Sequence, residues 1–453
     1  MATINFTGLA TGLDVNGIID ALVAVERRSI TLLERQKSSI QTKVDLYQQL
    51  SGKFAALETA TTRLSTEADF YVKQAASSNE TILVATAGSN AEAANHTVTV
   101  DTLARATTLA SAPFDDTDTT TVGTGTLRIT VGTTVTDIPI DSNNNTLAGL
   151  RDAINGSGAD VTASIVTVDA DATPSYRLVV SGKSTGLANA VTIDASGLSG
   201  GTPLGFTVTQ PAQDATLTVD GISVTRAANV VSDVIPGVTL DLKSAAPGTE
   251  VQVTVSYDIE AIEQQVNDFI AAYNDIMTFV HEQTKFDSVT RQGGPLIGDS
   301  TLRTLRRNLQ SMITTPVAGT PSILADIGVA TEKDGTLSVD ASKLENALKT
   351  DLSGVANIFL DPSDGLAQSV LDFAELATRL GDGILTARID GAGEAIAQID
   401  DRIAEKKDEL ERFEQDLIRK FTVLETLVSQ INAQGNYLVQ QLASLGAQLG
   451  TSE

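Results

Sequence analysis

The sequence predicts an α+β multidomain protein in which long terminal α-helices form a coiled-coil-like stalk. Two β-rich domains are inserted between those ends, one nested in the other. Three observations predict this. Ile389, Ile396, Ile403, Leu410, Leu417, Leu424, Ile431, Leu438 and Leu445 are nine apolar residues at successive intervals of seven. Leu33, Ile40, Tyr47 and Phe54 keep the same interval near the other end. Between the two lie runs in which Thr and Val alternate, broken by Gly, Asn and Asp.

The first helix starts at Asp14, a good N-cap, ahead of Val15, Ile18, Ile19, Leu22 and Val23, which share one helical face. A second row, Leu50, Leu57 and Leu64, runs beside the first. One or two long helices are expected over residues 14–66, with a possible break near Glu26–Ser29. The apolar start is no signal peptide, since no basic residue precedes it and Asp14 and Asp20 interrupt it. An exported chain of this kind keeps its N-terminus.

From Ser77 to Ser256 the segments "HTVTVDTL", "GTLRITVGTTVTDIPI", "TASIVTVDA", "YRLVVSG", "TLTVDGISVTR" and "EVQVTVSYD" read as strands. Asp220-Gly221 predicts a type I′ hairpin turn, both positions needing φ > 0. "TLAGLRDAINGS" is a helix with Leu147, Leu150 and Ile154 on one face. The stretches Pro113–Thr121 and Ser196–Gln213 are the expected crossings between an inner and an outer β domain.

Helix returns with Ile262, Val266, Phe269, Tyr273, Ile276 and Val280. "STLRTLRRNLQSMI" follows as a helix capped by Ser300, and "GTLSVDASKLENALKTDLSGVANIFL" as a short strand with helices. In the closing heptads Ile399, Phe413 and Leu427 supply a companion row whose other places hold Lys406, Lys420, Gln434 and Gln441. One seam is therefore dependable and the second only partly apolar. The two ends either cover one another or are covered by helices of a neighbour.

Composition excludes several classes of function. A net charge of −26 argues against nucleic acid or an anionic membrane as partner. Residues 76–255 contribute 18 acidic against 7 basic side chains, a solvated surface. With no Cys and only His96 and His281, neither disulfides nor a zinc site is expected, and no cofactor. No apolar run approaches the roughly 18 residues of a membrane-spanning helix. "SGKST" lacks the earlier Gly of a phosphate loop, Arg177 standing there, and reads as a turn. Asp116 and Asp118, like Asp169 and Asp171, alternate as in a calcium loop but lack its Gly and Glu. No catalytic constellation emerges, and an enzyme is not expected.

"GLATGLDVNGIIDALVAVE", "LYQQLSGKFAALETATTRL", "FYVKQAASSNETILVATA", "LTVDGISVTRAANVVSDVIPGVTLDL" and "PLIGDSTLRTLRRNLQSMI" resemble the flagellar filament cap (hook-associated protein 2) family. "TLAGLRDAINGSGADVTASIV" is similar to a repeat of flagellin-related proteins. The likeness runs in order along nearly the whole chain and is least specific over 116–212. It implies export without a cleaved signal and a place at the filament's distal tip. There the protein retains exported flagellin and promotes its folding and insertion. The implied partners are copies of itself in a ring (commonly five), flagellin, hook–filament junction proteins and a cytoplasmic export chaperone. A surface adhesin acting through the acidic β head is the alternative, and an enzyme modifying cell-wall sugar a third reading.

Carried onto this chain, the resemblance places filament docking at Phe6, Leu9, Leu13, Ile18 and Leu22, and at Leu438, Leu442 and Leu445. Stalk packing falls to Leu33, Ile40, Tyr47, Phe54, Ile403, Leu410 and Leu417, and chaperone binding to Leu424, Ile431 and Leu438. The implied divisions are a docking segment 1–30, a leg of 31–75 with 256–424, and a docking helix 425–453. The inner β domain is 76–115 with 213–255, and the outer one 116–212.

Overall fold

Asp14 does cap the first helix, α1 (Val15–Thr62), its carboxylate accepting the Gly17 amide at 3.0 Å. The helix runs without the break foreseen near Glu26–Ser29. No Gly or Pro lies between Ile18 and Ser51, and the Ser29 hydroxyl is absorbed by the Glu26 carbonyl at 2.9 Å. In the computed structural model the chain divides into two compact units, one of residues up to Ser65 and from Gln265 onward, the other Thr66–Gln264. The structure describes residues 11–169, 175–287, 289 and 291–449.

The Thr66–Gln264 unit opens with a single turn, α2 (Glu67–Phe70), and holds two apolar cores. Its first core is built by β1 (Lys73–Ser77), β2 (Leu83–Ala87) and β3 (Ala94–Thr102). Five strands from later in the chain complete it: β12 (Ala215–Val219), β13 (Ile222–Arg226), β14 (Val230–Ile235), β15 (Val238–Leu242) and β16 (Val251–Tyr257). They pair antiparallel as β1-β16-β3-β12-β13 and β14-β15-β2. Alternation does the sorting: Val251, Val253 and Val255 are buried while Gln252 and Thr254 face out. Asp220 and Gly221 both take positive φ, 51° and 82°, closing the β12–β13 hairpin.

The second core lies in the intervening chain, on β4 (Thr108–Ala110), β5 (Thr124–Val131), β6 (Thr134–Ile140), β7 (Val161–Asp169) and β8 (Ser175–Gly182). The short β9 (Val191–Asp194), β10 (Leu198–Ser199) and β11 (Thr207–Gln210) complete its two sheets. Helix α3 (Leu147–Gly156), capped by Thr146, covers them with Leu147, Leu150 and Ile154, all fully buried. The stretch Ser196–Gln213 is thus not all loop. β10 and β11 are simply too short for alternation to register.

From Gln265 the other unit takes the greater part of α4 (Ile259–Thr284), then a ladder of β17 (Phe286–Asp287) with β18 (Gln292–Gly293), and α5 (Ser300–Thr314). A hairpin of β19 (Val329–Thr331) and β20 (Leu337–Val339) leads into α6 (Ala341–Thr350), α7 (Leu352–Leu360), α8 (Leu366–Thr378) and the long α9 (Ile384–Leu449). The cap of α5 is Asp299, one residue before the expected Ser300, its carboxylate accepting the Thr301 and Leu302 amides. Two edge-on aromatic pairs, Phe54–Phe373 at 6.0 Å and Phe269–Phe359 at 6.1 Å, mark the core. Tyr273 is fully enclosed, donates to the Gly335 carbonyl at 3.1 Å, and burial pushes its phenol up to about 12.

Candidate docking surface

Helices α1 and α9 run antiparallel. Lys37 meets Asp400 at 2.6 Å, Ile30 and Leu33 pack with Ile399 and Ile403, and Ile40 and Leu410 flank that cluster. Further down, Val15, Ile19 and Val23 pack on Leu410, Leu417, Ile418 and Phe421. Between the two clusters Glu26, Ser29, Lys406 and Glu409 line a cleft of about 290 Å³. The hydrogen bond to Glu409, with Glu405 and Glu26 nearby, holds the Lys406 ammonium above its ordinary range. The Lys that interrupts the companion heptad row therefore sits among carboxylates. Its charge is matched beside Leu410, the half-buried residue through which the two clusters meet.

The N-terminal row of sevens divides its work. Leu33 and Ile40 face α9, whereas Phe54 packs on Phe373 of α8, and the Tyr47 hydroxyl donates to Asp299 at the head of α5. The reason is extent: α9 begins only at Ile384 and runs the opposite way, so the upper half of α1 meets other helices. Ile403 is buried, and Leu410 and Leu417 are half-buried.

Of the residues singled out for docking, Phe6 and Leu9 lie outside the described residues, as does the side chain of Leu445. Leu13 and Leu22 are exposed and Ile18 is half-buried. Val25 and Leu32, at 56% and 63% exposure, extend the outward stripe of Ile18 and Leu22, an extension the sequence reading missed. Its signal was present, since Ile18, Val25 and Leu32 are also spaced by seven.

At the bottom of the pair the Thr11 hydroxyl donates to the Glu425 carboxylate, and α9 continues beyond it to Leu449. Along that extension exposure climbs, from 39% at Leu424 to 56% at Ile431, 58% at Leu438 and 69% at Leu442. Tyr437 and Val439, not singled out from sequence, are exposed beside them. Ala433, Gln434, Tyr437 and Leu438 shape an open apolar notch there. Large apolar side chains in water forfeit roughly 25 cal/mol per Å², so covering this stretch would be favourable.

The acidic loop and the histidine singled out from sequence are both engaged in local structure. Asp116 is consumed by its own loop, accepting from the Asp118 amide and from Thr120 and Thr119, whose hydrogen bonds hold its carboxyl far below the usual range. His96 Nδ1 lies 2.7 Å from Asp220, whose other oxygen accepts the Thr97 amide at 2.8 Å, tying the hairpin turn to β3. Among the described residues no cluster fits a metal ion, and no helix is long and apolar enough to cross a membrane.

Comparison with known proteins supplies the context. Family models described as the flagellar hook-associated protein 2 N-terminus and C-terminus match residues 11–107 and 212–433. Flagellar hook-associated protein 2 of Escherichia coli strain K12 is 32% identical over 97% of this chain and 98% of its own length. The chain belongs to the flagellar hook-associated protein 2 family. Its similarity to the B-type hook-associated protein 2 of Pseudomonas aeruginosa is equally broad, 32% identity over 95% of each chain. Among solved structures, the D1-D2-D3 domains of the Escherichia coli flagellar cap protein superpose with a TM-score of 0.63 and 31% identity. They cover 77% of this chain and 99% of that one. A flagellin hook IN motif matches residues 126–184, the part of the second β core that includes α3.

Proposed function

We propose that this chain is the structural cap at the tip of a bacterial flagellar filament. There it retains exported flagellin and promotes its folding and insertion, without covalent chemistry. The likeness to the Escherichia coli cap domains, along three quarters of the chain at 31% identity, carries the reading. In this reading the protein is exported with its N-terminus intact and works as a ring of copies, with five as the working number. It also meets the hook–filament junction proteins at the start of filament growth.

The termini are the docking elements. Leu13, Ile18 and Leu22, with Phe6 and Leu9 ahead of them, and Leu438, Leu442 and Leu445 at the other end, would seat in the axial part of the filament. Their support is the outward stripe of α1 and the exposed extension of α9. Residues 1–30 and 425–453 are then docking segments, and 31–75 with 256–424 the leg. The inner β domain is 76–115 with 213–255, and the outer 116–212. Before export, Leu424, Ile431 and Leu438 would be covered by a cytoplasmic chaperone, since exposed apolar side chains invite aggregation.

The test is genetic and direct. A strain that lacks its cap protein and carries this chain should build filaments, while the same strain with an empty vector sheds soluble flagellin. Shedding that continues when this chain is present and exported would remove the reading.

A further inference from the structure

Strand β7 is the outermost strand of the sheet β11-β4-β8-β7, so one of its edges faces away from β8. Its neighbour fixes which backbone groups point there. Tyr176 exchanges both of its backbone bonds with Phe114, and Leu178 spends both of its own on Ser111. Tyr176 stands opposite Thr167 and Leu178 opposite Ile165. Ile165 and Thr167 therefore turn their N–H and C=O groups to the open edge. At Ala163, the preceding position of that set, the edge is filled. The Asn155 side chain near the end of α3 accepts the Ala163 amide at 2.8 Å and donates to its carbonyl at 2.9 Å. That side chain stands in for a paired strand, and among the described residues nothing does so for Ile165 or Thr167. The register shifts between Thr167 and Asp169, which closes the slot at its other end.

Free edges are ordinarily blunted by charge, by Pro or by a covering element. Of the other edge strands in this unit, β6 carries Pro139, β1 opens with Lys73, and β13 ends in Arg226, held by Asp233. Val161–Val168 holds no charged residue, no Pro and no Gly. Past Asn155 its edge has none of these guards. On the strand face away from the core, Val166 and Val168 are 47% and 57% exposed. An open backbone slot thus adjoins uncovered β-branched side chains.

Donors and acceptors in this alternation, repeated at the strand spacing, are matched by another polypeptide in extended form. We propose that Ile165–Thr167 of β7 is a β-addition site for an extended segment of another protein, neutral or basic, with a β-branched residue opposite Val166. Run antiparallel, the segment makes two bonds with Ile165 and two with Thr167, and its intervening side chain lies on the Val166 face. Charge selects against a second copy of this chain, since each copy carries −26 and residues 76–255 hold 18 acidic against 7 basic side chains. The same charge selects against an acidic segment. Four hydrogen bonds and one apolar pair make a weak, reversible contact. The inference goes beyond the cap reading and stands without it.

The probe is a fluorescein-labelled heptapeptide of alternating Thr and Val with Lys at both ends, added to the full-length chain and followed by anisotropy. Thr167→Pro removes one edge donor and sets a ring in the slot without taking a bond from β8. Thr167→Val keeps the backbone and is the control, and circular dichroism reports whether each variant is folded. Saturable binding is expected for the parent and the control, equal to within about twofold. Thr167→Pro should bind about tenfold more weakly or worse. The same peptide N-methylated at every amide should lose about as much on the unchanged parent, and a Glu-ended peptide should bind more weakly at low salt. No saturable binding by the parent, or equal binding of the N-methylated or Glu-ended peptide, overturns the proposal. A folded Thr167→Pro variant that binds as the parent does overturns it too. Sedimentation without peptide gives the last outcome: self-association that Thr167→Pro abolishes would assign the edge to a second copy, and the proposal fails.

Discussion

The Thr11 hydroxyl donates to the Glu425 carboxylate, and that contact divides α9 into a part that α1 covers and a part it does not. Above it Leu410 and Leu417 are half-buried against Val15, Ile19 and Val23. Below it every residue from Ser429 to Ala443 is exposed. The same heptad is therefore covered by α1 along one part of the helix and left exposed along the other.

The lower cluster is small and meets the Ile30–Ile403 cluster through the half-buried Leu410, with Glu26 and Lys406 lining a cleft beside it. Local opening follows where few apolar contacts hold a segment. Ile19→Ala should cost about 2–4 kcal/mol at that site. The expected outcome is loss of amide-exchange protection over residues 15–25, with protection over 44–61 kept. Uniform loss along the whole of α1 would show that the two clusters open as one.

Tyr47 and Asp299 predict a pH dependence with a definite sign. Burial pushes the Asp299 carboxyl up, but the Tyr47 hydroxyl, the Leu302 and Thr301 amides and the Arg388 charge together hold it below its usual range. A depressed pKa gives stability that is present above the unfolded value, about 3.9, and is lost as pH falls through the folded one. Burial first, then Asp299, raises the Tyr47 phenol. That contribution is full below the unfolded value, about 10, and fades as pH rises through the folded one. Tyr47→Phe should cost about 1–2 kcal/mol at neutral pH, move the acid transition to higher pH and remove the alkaline contribution. Thermal unfolding followed against pH in both proteins checks the three together.

Asp220 is the hairpin residue whose side chain is used twice, by His96 and by the Thr97 amide. Its φ of 51° suits Asp or Asn better than other side chains. Asp220→Ala should lower stability by about 1–2 kcal/mol through the lost acceptor and the strained turn. Asp220→Asn, which tolerates the turn and still accepts from Thr97, should recover most of it. Equal losses in the two variants would mean that the His96 pair, not the turn, carries the effect.

Periodicity made the elements legible and packing decided their use. Val251, Val253 and Val255 announce a half-buried strand because alternate side chains really do face opposite sides. The heptads at Ile403 and Leu410 announce a helix for the matching reason. Neither shows that Tyr47 and Phe54 leave the α9 seam for α5 and α8, since that depends on where a partner helix starts. Asp299 and Ser300 are both good caps, and local sequence does not choose between them. The exposed stretch beyond Glu425 is likewise a matter of register between helices hundreds of residues apart. Leu22 and Leu438 were visible as apolar, but not as uncovered.

Leu438 supplies the last contrast. At 58% exposure it contributes little to the isolated fold, so Leu438→Asp should leave the thermal transition within about 0.5 kcal/mol of the parent's. Leu410→Asp, by comparison, sets a carboxylate between the two α1 clusters that share Leu410 and should destabilise by about 3 kcal/mol or more. In a cap-deficient strain both variants should fail to support filaments, for different reasons. The Leu410 variant should be recovered partly unfolded, and the Leu438 variant folded but unable to dock. Filament growth supported normally by Leu438→Asp would show that the extension of α9 is not the docking helix.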